Sequence, residues 1–83
     1  MIPLDWEEVV ALDLGRLDGN ASAITAVKAD SREVGPGDLF VALNSGVRYV
    51  DEARSRGAAT LVPEDQEGAL AALAVLVRSK SDA

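Results

Sequence analysis

Asp30-Ser31-Arg32-Glu33-Val34-Gly35-Pro36-Gly37-Asp38-Leu39-Phe40-Val41-Ala42-Leu43 is the stretch on which the fold of this chain turns. Residues 35–38 fit a type II turn: Pro36 presets φ at the second position and Gly37 supplies the positive φ needed at the third. Residues 39–43 then run apolar without a break, the pattern of a strand covered on both faces. The turn thus holds the polar triplet Asp30-Ser31-Arg32 at the edge of a buried strand, a place where a ligand can be read.

Working outward, residues 2–13 read as a first helix. Pro3 suits an early helical position, and Asp5 with Glu8 three residues on resembles a capping box. Trp6, Val9, Val10 and Asp13 share a face, so Trp6 is expected to anchor the core; a role in stacking a ligand is the sharper alternative. Gly15 and Gly19-Asn20 are expected to end that helix and turn the chain. Residues 23–29 are expected to form a strand, bounded by polar turn formers, although neither of its sides is strongly apolar. Asn44-Ser45-Gly46 breaks the apolar strand in a short loop. Residues 49–55 read as a second helix stopped by Gly57, with Arg54 and Arg56 favourably placed near its end. Residues 58–62 form a third strand closed by Pro63. Strand, short helix and strand at this spacing make a compact βαβ unit with parallel pairing.

The last predicted helix, 66–78, opens on the acids Glu64-Asp65 and is apolar on every side across residues 69–77. A surface helix normally keeps one polar face. Either its small alanines make the outer face innocuous, or the helix packs against something outside this sequence.

Composition narrows the chemistry. Eighty-three residues make one small domain, near the size at which a single core is only just sufficient. Hydrophobic residues are 48 % of the chain but aromatics only 4 %, so alanine, valine and leucine must build the core. With no cysteine and no histidine, thiolate chemistry, disulfides and the commonest general base and zinc ligand are all excluded. A net charge of −6 and the lack of any basic run argue against nucleic acid. The longest apolar run, 69–77, falls far short of the ~20 residues a spanning helix needs. The N-terminus lacks the basic flank and apolar core of a signal peptide. A cytoplasmic protein with no membrane or nucleic-acid partner is expected.

Few residues are placed to bind or react. Gly35-Pro36-Gly37 is too short for a phosphate loop, and proline removes one backbone donor. The acidic pairs Glu7-Glu8 and Glu64-Asp65 sit where helix starts favour acids. The candidates that remain are Ser31, whose hydroxyl can donate or accept, and Arg32, whose fork suits phosphate or carboxylate. The plainer alternative is that Asp30 forms an Asx turn and Arg32 pairs with a neighbouring acid.

Asp30-Ser31-Arg32, Val34 and Pro36-Gly37-Asp38-Leu39-Phe40-Val41-Ala42-Leu43, followed by Tyr49-Val50, Ala53 and Gly57-Ala58-Ala59, resemble the amino-terminal domain of Mur ligases. The resemblance covers about residues 24–62. It implies a three-domain enzyme of peptidoglycan precursor synthesis. The first domain holds the UDP end of a UDP-N-acetylmuramoyl peptide, and the second binds ATP and Mg. The third brings the amine that attacks an acyl phosphate to form an amide. Within the family the pattern looks closest to the ligase adding D-alanyl-D-alanine to the tripeptide; the ligase adding the third peptide residue has a similar first domain. Carried over by position, Ser31 would lie near the uridine diphosphate and Arg32 would be a further contact. The family's loop after Ala-Leu is longer and contains a histidine. Here Asn44-Ser45-Gly46-Val47-Arg48 leads directly into Tyr49, so Asn44 or Ser45 would have to replace the uracil contacts.

The combined expectation is an α/β domain with a small mixed, largely parallel sheet and flanking helices. Residues 1–78 would form the UDP-substrate-binding domain, and 79–83 would start a linker to the ATP-binding central domain. That domain would pack on the 66–78 helix. The chain alone would hold no catalytic residue, metal or cofactor and would be inactive. The rival expectation is a stand-alone interaction module that docks through residues 69–77, with binding weakened when Leu73 or Leu76 is charged.

Overall fold

A computed structural model describes residues 3–19 and 23–81. The turn that opens the central strand forms as its residues dictate. Asp38 N donates to Gly35 O at 3.1 Å, and Gly37 sits at φ +88°. The buried Asp38 carboxylate fastens the turn from within, accepting from Gly35 N at 2.9 Å and Lys28 Nζ at 3.3 Å. Strand β5 (Asp38–Val41) follows, buried at every position. It pairs in parallel with β4 (Ala26–Lys28) on one side and with β6 (Ala59–Pro63) on the other.

The four-stranded sheet runs β2-β6-β5-β4, where β2 (Gly15–Asp18) pairs antiparallel with β6. The sheet is therefore mixed and largely parallel, as expected. Strand β2 itself was not expected. Gly15 lies within it, opposite Pro63, rather than in a turn. Its charged residues Arg16 and Asp18 suit an edge strand, where charge discourages pairing with another chain.

The 2–13 helix forms only in part. Leu4–Asp5 is a short strand, β1, and the helix α1 is confined to Trp6–Ala11. Glu8 carries its half of the capping box, accepting from Asp5 N at 3.3 Å. Strand β1 pairs antiparallel with β3 (Ala23–Ile24), placing Leu4 against Ile24, both fully buried. The strand expected over 23–29 thus divides at Thr25. Its amide and hydroxyl both donate to Gly37 O, at 2.7 and 3.2 Å, so the chain leaves one partner there and takes another. Asn20, placed in the turn before it, lies outside the described residues.

Side chains leave the sheet alternately. Leu39, Val41, Ala59 and Leu61 join Leu4, Val9, Ile24 and Leu73 in one cluster, with Trp6 partly buried against it. Phe40 and Ala42 join Val34, Ala53 and Ala58 in the other. Helix α3 (Gln66–Ser81) therefore serves the first face and α2 (Val50–Ser55) the second. This two-sided cover explains why residues 39–43 are apolar throughout. Trp6 takes the core-packing role expected for it.

Helix α3 extends past Arg78 to Ser81, and the Lys80 ammonium meets Glu8 Oε1 at 2.6 Å and Asp5 Oδ2 at 3.7 Å. The hydrogen bond from Lys80 holds the Glu8 carboxyl below its ordinary pKa, and Glu8 in turn raises that of Lys80. The end of α3 is thereby tied to the start of α1. No helix is long and apolar enough to cross a membrane among the described residues.

Candidate functional site

Strands β4 and β5 run in the same direction, so the segments that leave their carboxyl ends lie side by side. Ligands of open α/β sheets bind at this edge. Here the two segments enclose a cleft of about 450 Å³ lined by residues 29–32, Leu43, Gly46, Tyr49 and Glu52. Residues 29–32 follow β4. Leu43 leads out of β5 into a 3₁₀ turn over Asn44–Tyr49, which replaces the expected short loop.

Ser31 is only 5 % exposed, and its hydroxyl donates to Glu52 Oε2 at 3.0 Å. Glu52 also approaches Arg56, with 3.6 Å between Oε1 and the guanidinium. Asp30 and Arg32 form a local pair. Asp30 Oδ1 accepts from the Arg32 amide at 2.9 Å and from Nε at 3.1 Å, and Oδ2 accepts from the guanidinium at 2.9 Å. The Asx turn and the arginine–acid pair that formed the plainer alternative are therefore both present. Arg32 nevertheless stays at the cleft rim with an 80 % exposed side chain. Two of its five N–H donors go to Asp30, and three remain.

Hydrogen bonds from the Arg32 side chain and amide hold the Asp30 carboxyl at a pKa of about 2, and Asp30 raises that of Arg32. Because the carboxyl pKa is depressed, the pair is intact above the ordinary carboxylate range and is lost as pH falls through about 2. A carbon-detected NMR titration is expected to place the Asp30 midpoint near 2. In an Arg32→Gln variant that midpoint should return towards about 3.9. An unshifted Asp30 in the unaltered protein would refute the pairing.

Asn44 opens the 3₁₀ turn, exposed and at φ +54°, a left-handed conformation that asparagine tolerates better than most residues. It lies between the lining residues Leu43 and Gly46 in sequence, without lining the cleft itself. Ser45 follows it, and its side chain is not among those described. Sequence reasoning missed Glu52 and Tyr49 as cleft residues. Their signal was the short helix following the strand: Tyr49 precedes its first turn, and Glu52 lies three residues on, on the same face.

The lining divides by chemistry. Leu43, Gly46 and the 46 % exposed Tyr49 offer an apolar wall for a planar ring. Ser31 and Glu52 supply a polar floor, and Arg32 a cationic rim. No group of three or more acidic, histidine or cysteine side chains is placed to hold a metal among the described residues.

Fold and cleft together define a small α/β domain with a mixed sheet and a cleft beyond the carboxyl ends of two parallel strands. No protein-family model matches the chain. It is 45 % identical over 53 residues to the UDP-N-acetylmuramoyl-L-alanyl-D-glutamate–2,6-diaminopimelate ligase of Rhizobium meliloti (strain 1021). The match takes in 57 % of this chain and 11 % of that ligase. This likeness supports a link to the Mur ligases of peptidoglycan synthesis. It does not single out the D-alanyl-D-alanine ligase that the motif pattern resembles most.

Proposed function

We propose that this chain is the amino-terminal, UDP-recognising domain of an ATP-dependent Mur ligase. The observation that carries the reading is the cleft beyond β4 and β5, whose apolar wall, polar floor and cationic rim suit a base, ribose hydroxyls and a diphosphate. Ser31 and Arg32 contact the nucleotide, and the turn that Asn44 opens borders the site on its other side through Gly46 and Tyr49. ATP and Mg are held by a central domain of the longer protein, which also supplies the catalytic residues. The chain alone binds and does not catalyse.

The similarity to a diaminopimelate-adding ligase favours addition of the third peptide residue. The Asp-Ser-Arg and Pro-Gly-Asp-Leu-Phe-Val-Ala-Leu pattern favours addition of D-alanyl-D-alanine as the second reading. Titrating UDP-N-acetylmuramoyl-L-alanyl-D-glutamate into the labelled chain is expected to move the amide signals of Ser31, Arg32 and Asn44. Signals that stay in place at saturating ligand would overturn the nucleotide reading. In the full-length ligase, ATP turnover with diaminopimelate or with D-alanyl-D-alanine decides between the two substrates.

A further inference from the structure

We propose that Glu52 is a positioning residue that fixes the Ser31 hydroxyl as a hydrogen-bond acceptor towards the ligand, so that Ser31 reads an N–H or O–H of the nucleoside and not a phosphate oxygen. This rests on the reading of the cleft as a uridine-nucleotide site. A serine hydroxyl has one proton to give and two lone pairs to offer. A carboxylate can only accept, so the 3.0 Å contact to Glu52 Oε2 commits that single proton. What Ser31 presents to the cleft is lone pairs. A phosphate oxygen, itself an acceptor, finds no donor there.

Charge points the same way. A diphosphate beside Ser31 would face the Glu52 carboxylate one hydrogen bond away, whereas the Arg32 rim keeps three N–H donors and is 80 % exposed. The geometry therefore orders the ligand, with the nucleoside on the Ser31 floor and the phosphates outward at Arg32. Burial makes the arrangement selective. Ser31 is 5 % exposed, so water cannot readily replace a ligand donor that is missing. Glu52 is also held on its far side by Arg56, which limits the directions its carboxylate can take.

The nucleoside donors are the uracil N3–H and the ribose hydroxyls, which three probes separate: N3-methyl-UDP, 2′-deoxy-UDP and 3′-deoxy-UDP. Binding of UDP and each probe to the 83-residue chain is followed by amide shifts. The unaltered protein is expected to lose about tenfold in affinity for the analogue that lacks the recognised donor. Ser31→Ala and Glu52→Ala should each lower UDP affinity and abolish that discrimination, and the double variant should fall no further than Ser31→Ala. Glu52→Gln should retain the discrimination, because its amide oxygen still accepts from Ser31. Retained dispersion of the amide spectrum shows that each variant is folded. If UDP binds but Glu52→Ala still discriminates, or if all three analogues bind like UDP, the positioning role is overturned while the nucleotide reading stands. If UDP does not bind the unaltered chain, the nucleotide reading itself falls.

Discussion

Replacing Gly15 by alanine is expected to destabilise the domain by about 3 kcal/mol or more, a large part of the ~4–12 kcal/mol available to a chain of this size. The residue lies inside β2 at φ +153°, opposite Pro63. A Cβ there would overlap the Val62 carbonyl oxygen and stand 2.8 Å from both Glu64 N and Pro63 Cα. All three atoms are backbone, so no side chain can turn aside to make room. The strand edge must open instead, placing at risk the Glu64 N to Leu14 O hydrogen bond of 3.0 Å and the β2–β6 ladder beyond it. In urea the midpoint should fall by between one and three molar, for slopes of about 1–3 kcal/mol per molar. Hydrogen exchange should quicken first at Arg16 and Val62. Gly35→Ala is the matched control: nothing lies within 4 Å of its added Cβ, and its amide still reaches Asp38. It should change stability by no more than about 0.5 kcal/mol. Equal midpoints for the two variants would contradict the described β2–β6 register.

Gly15 also marks where a reading of the sequence stops short. Gly15 and the Gly19-Asn20 pair that follows it carry the signals of a turn, and the pairing partners of residues 15–18 lie more than forty residues away in sequence. Nothing local to residues 15–18 announces an antiparallel edge strand. Residues 35–43 are the opposite case. Their turn needs only Pro36 and Gly37 in order, and their burial needs only an unbroken apolar run, so both are legible without knowledge of any partner. Thr25 falls between the two: β propensity runs through it, but its hydrogen bonds to Gly37 O divide the strand between two sheets. The site follows the same division. Asp30, Ser31 and Arg32 stand out as a polar triplet beside the strand, and the Asp30–Arg32 pair is a contact between near neighbours. Glu52 reaches Ser31 across 21 positions and only once α2 has packed on the sheet, so its part in the cleft belongs to tertiary structure.

The apolar helix gives the other large expected effect, because the fold separates two kinds of leucine and valine that sequence presents alike. Leu73 is 3 % exposed and packs in the cluster with Leu4, Val9, Ile24, Leu39 and Leu61. Leu73→Asp would leave a charge in that cluster, remove its packing and cost about 4 kcal/mol or more. The variant should populate the unfolded state without denaturant, or lose α3 from the rest of the domain as a unit. Val75 is 60 % exposed and Leu70 43 %, so aspartate at either should shift the denaturation midpoint little. This contrast changes how docking through residues 69–77 has to be tested. A charge at Leu73 would abolish partner binding by unfolding the domain, whether or not the helix touches a partner, and Leu76 is also partly buried against the core. Leu70 and Val75, the exposed large apolar side chains of this stretch, report on the outer face. If a central domain or another partner covers α3, Leu70→Asp and Val75→Asp should weaken that association with the urea midpoint of the isolated chain unchanged. If the alanines alone make the outer face innocuous, both variants should be silent in association as well as in stability. A Leu73→Asp protein as stable as the unaltered chain would contradict the packing of α3 on the sheet.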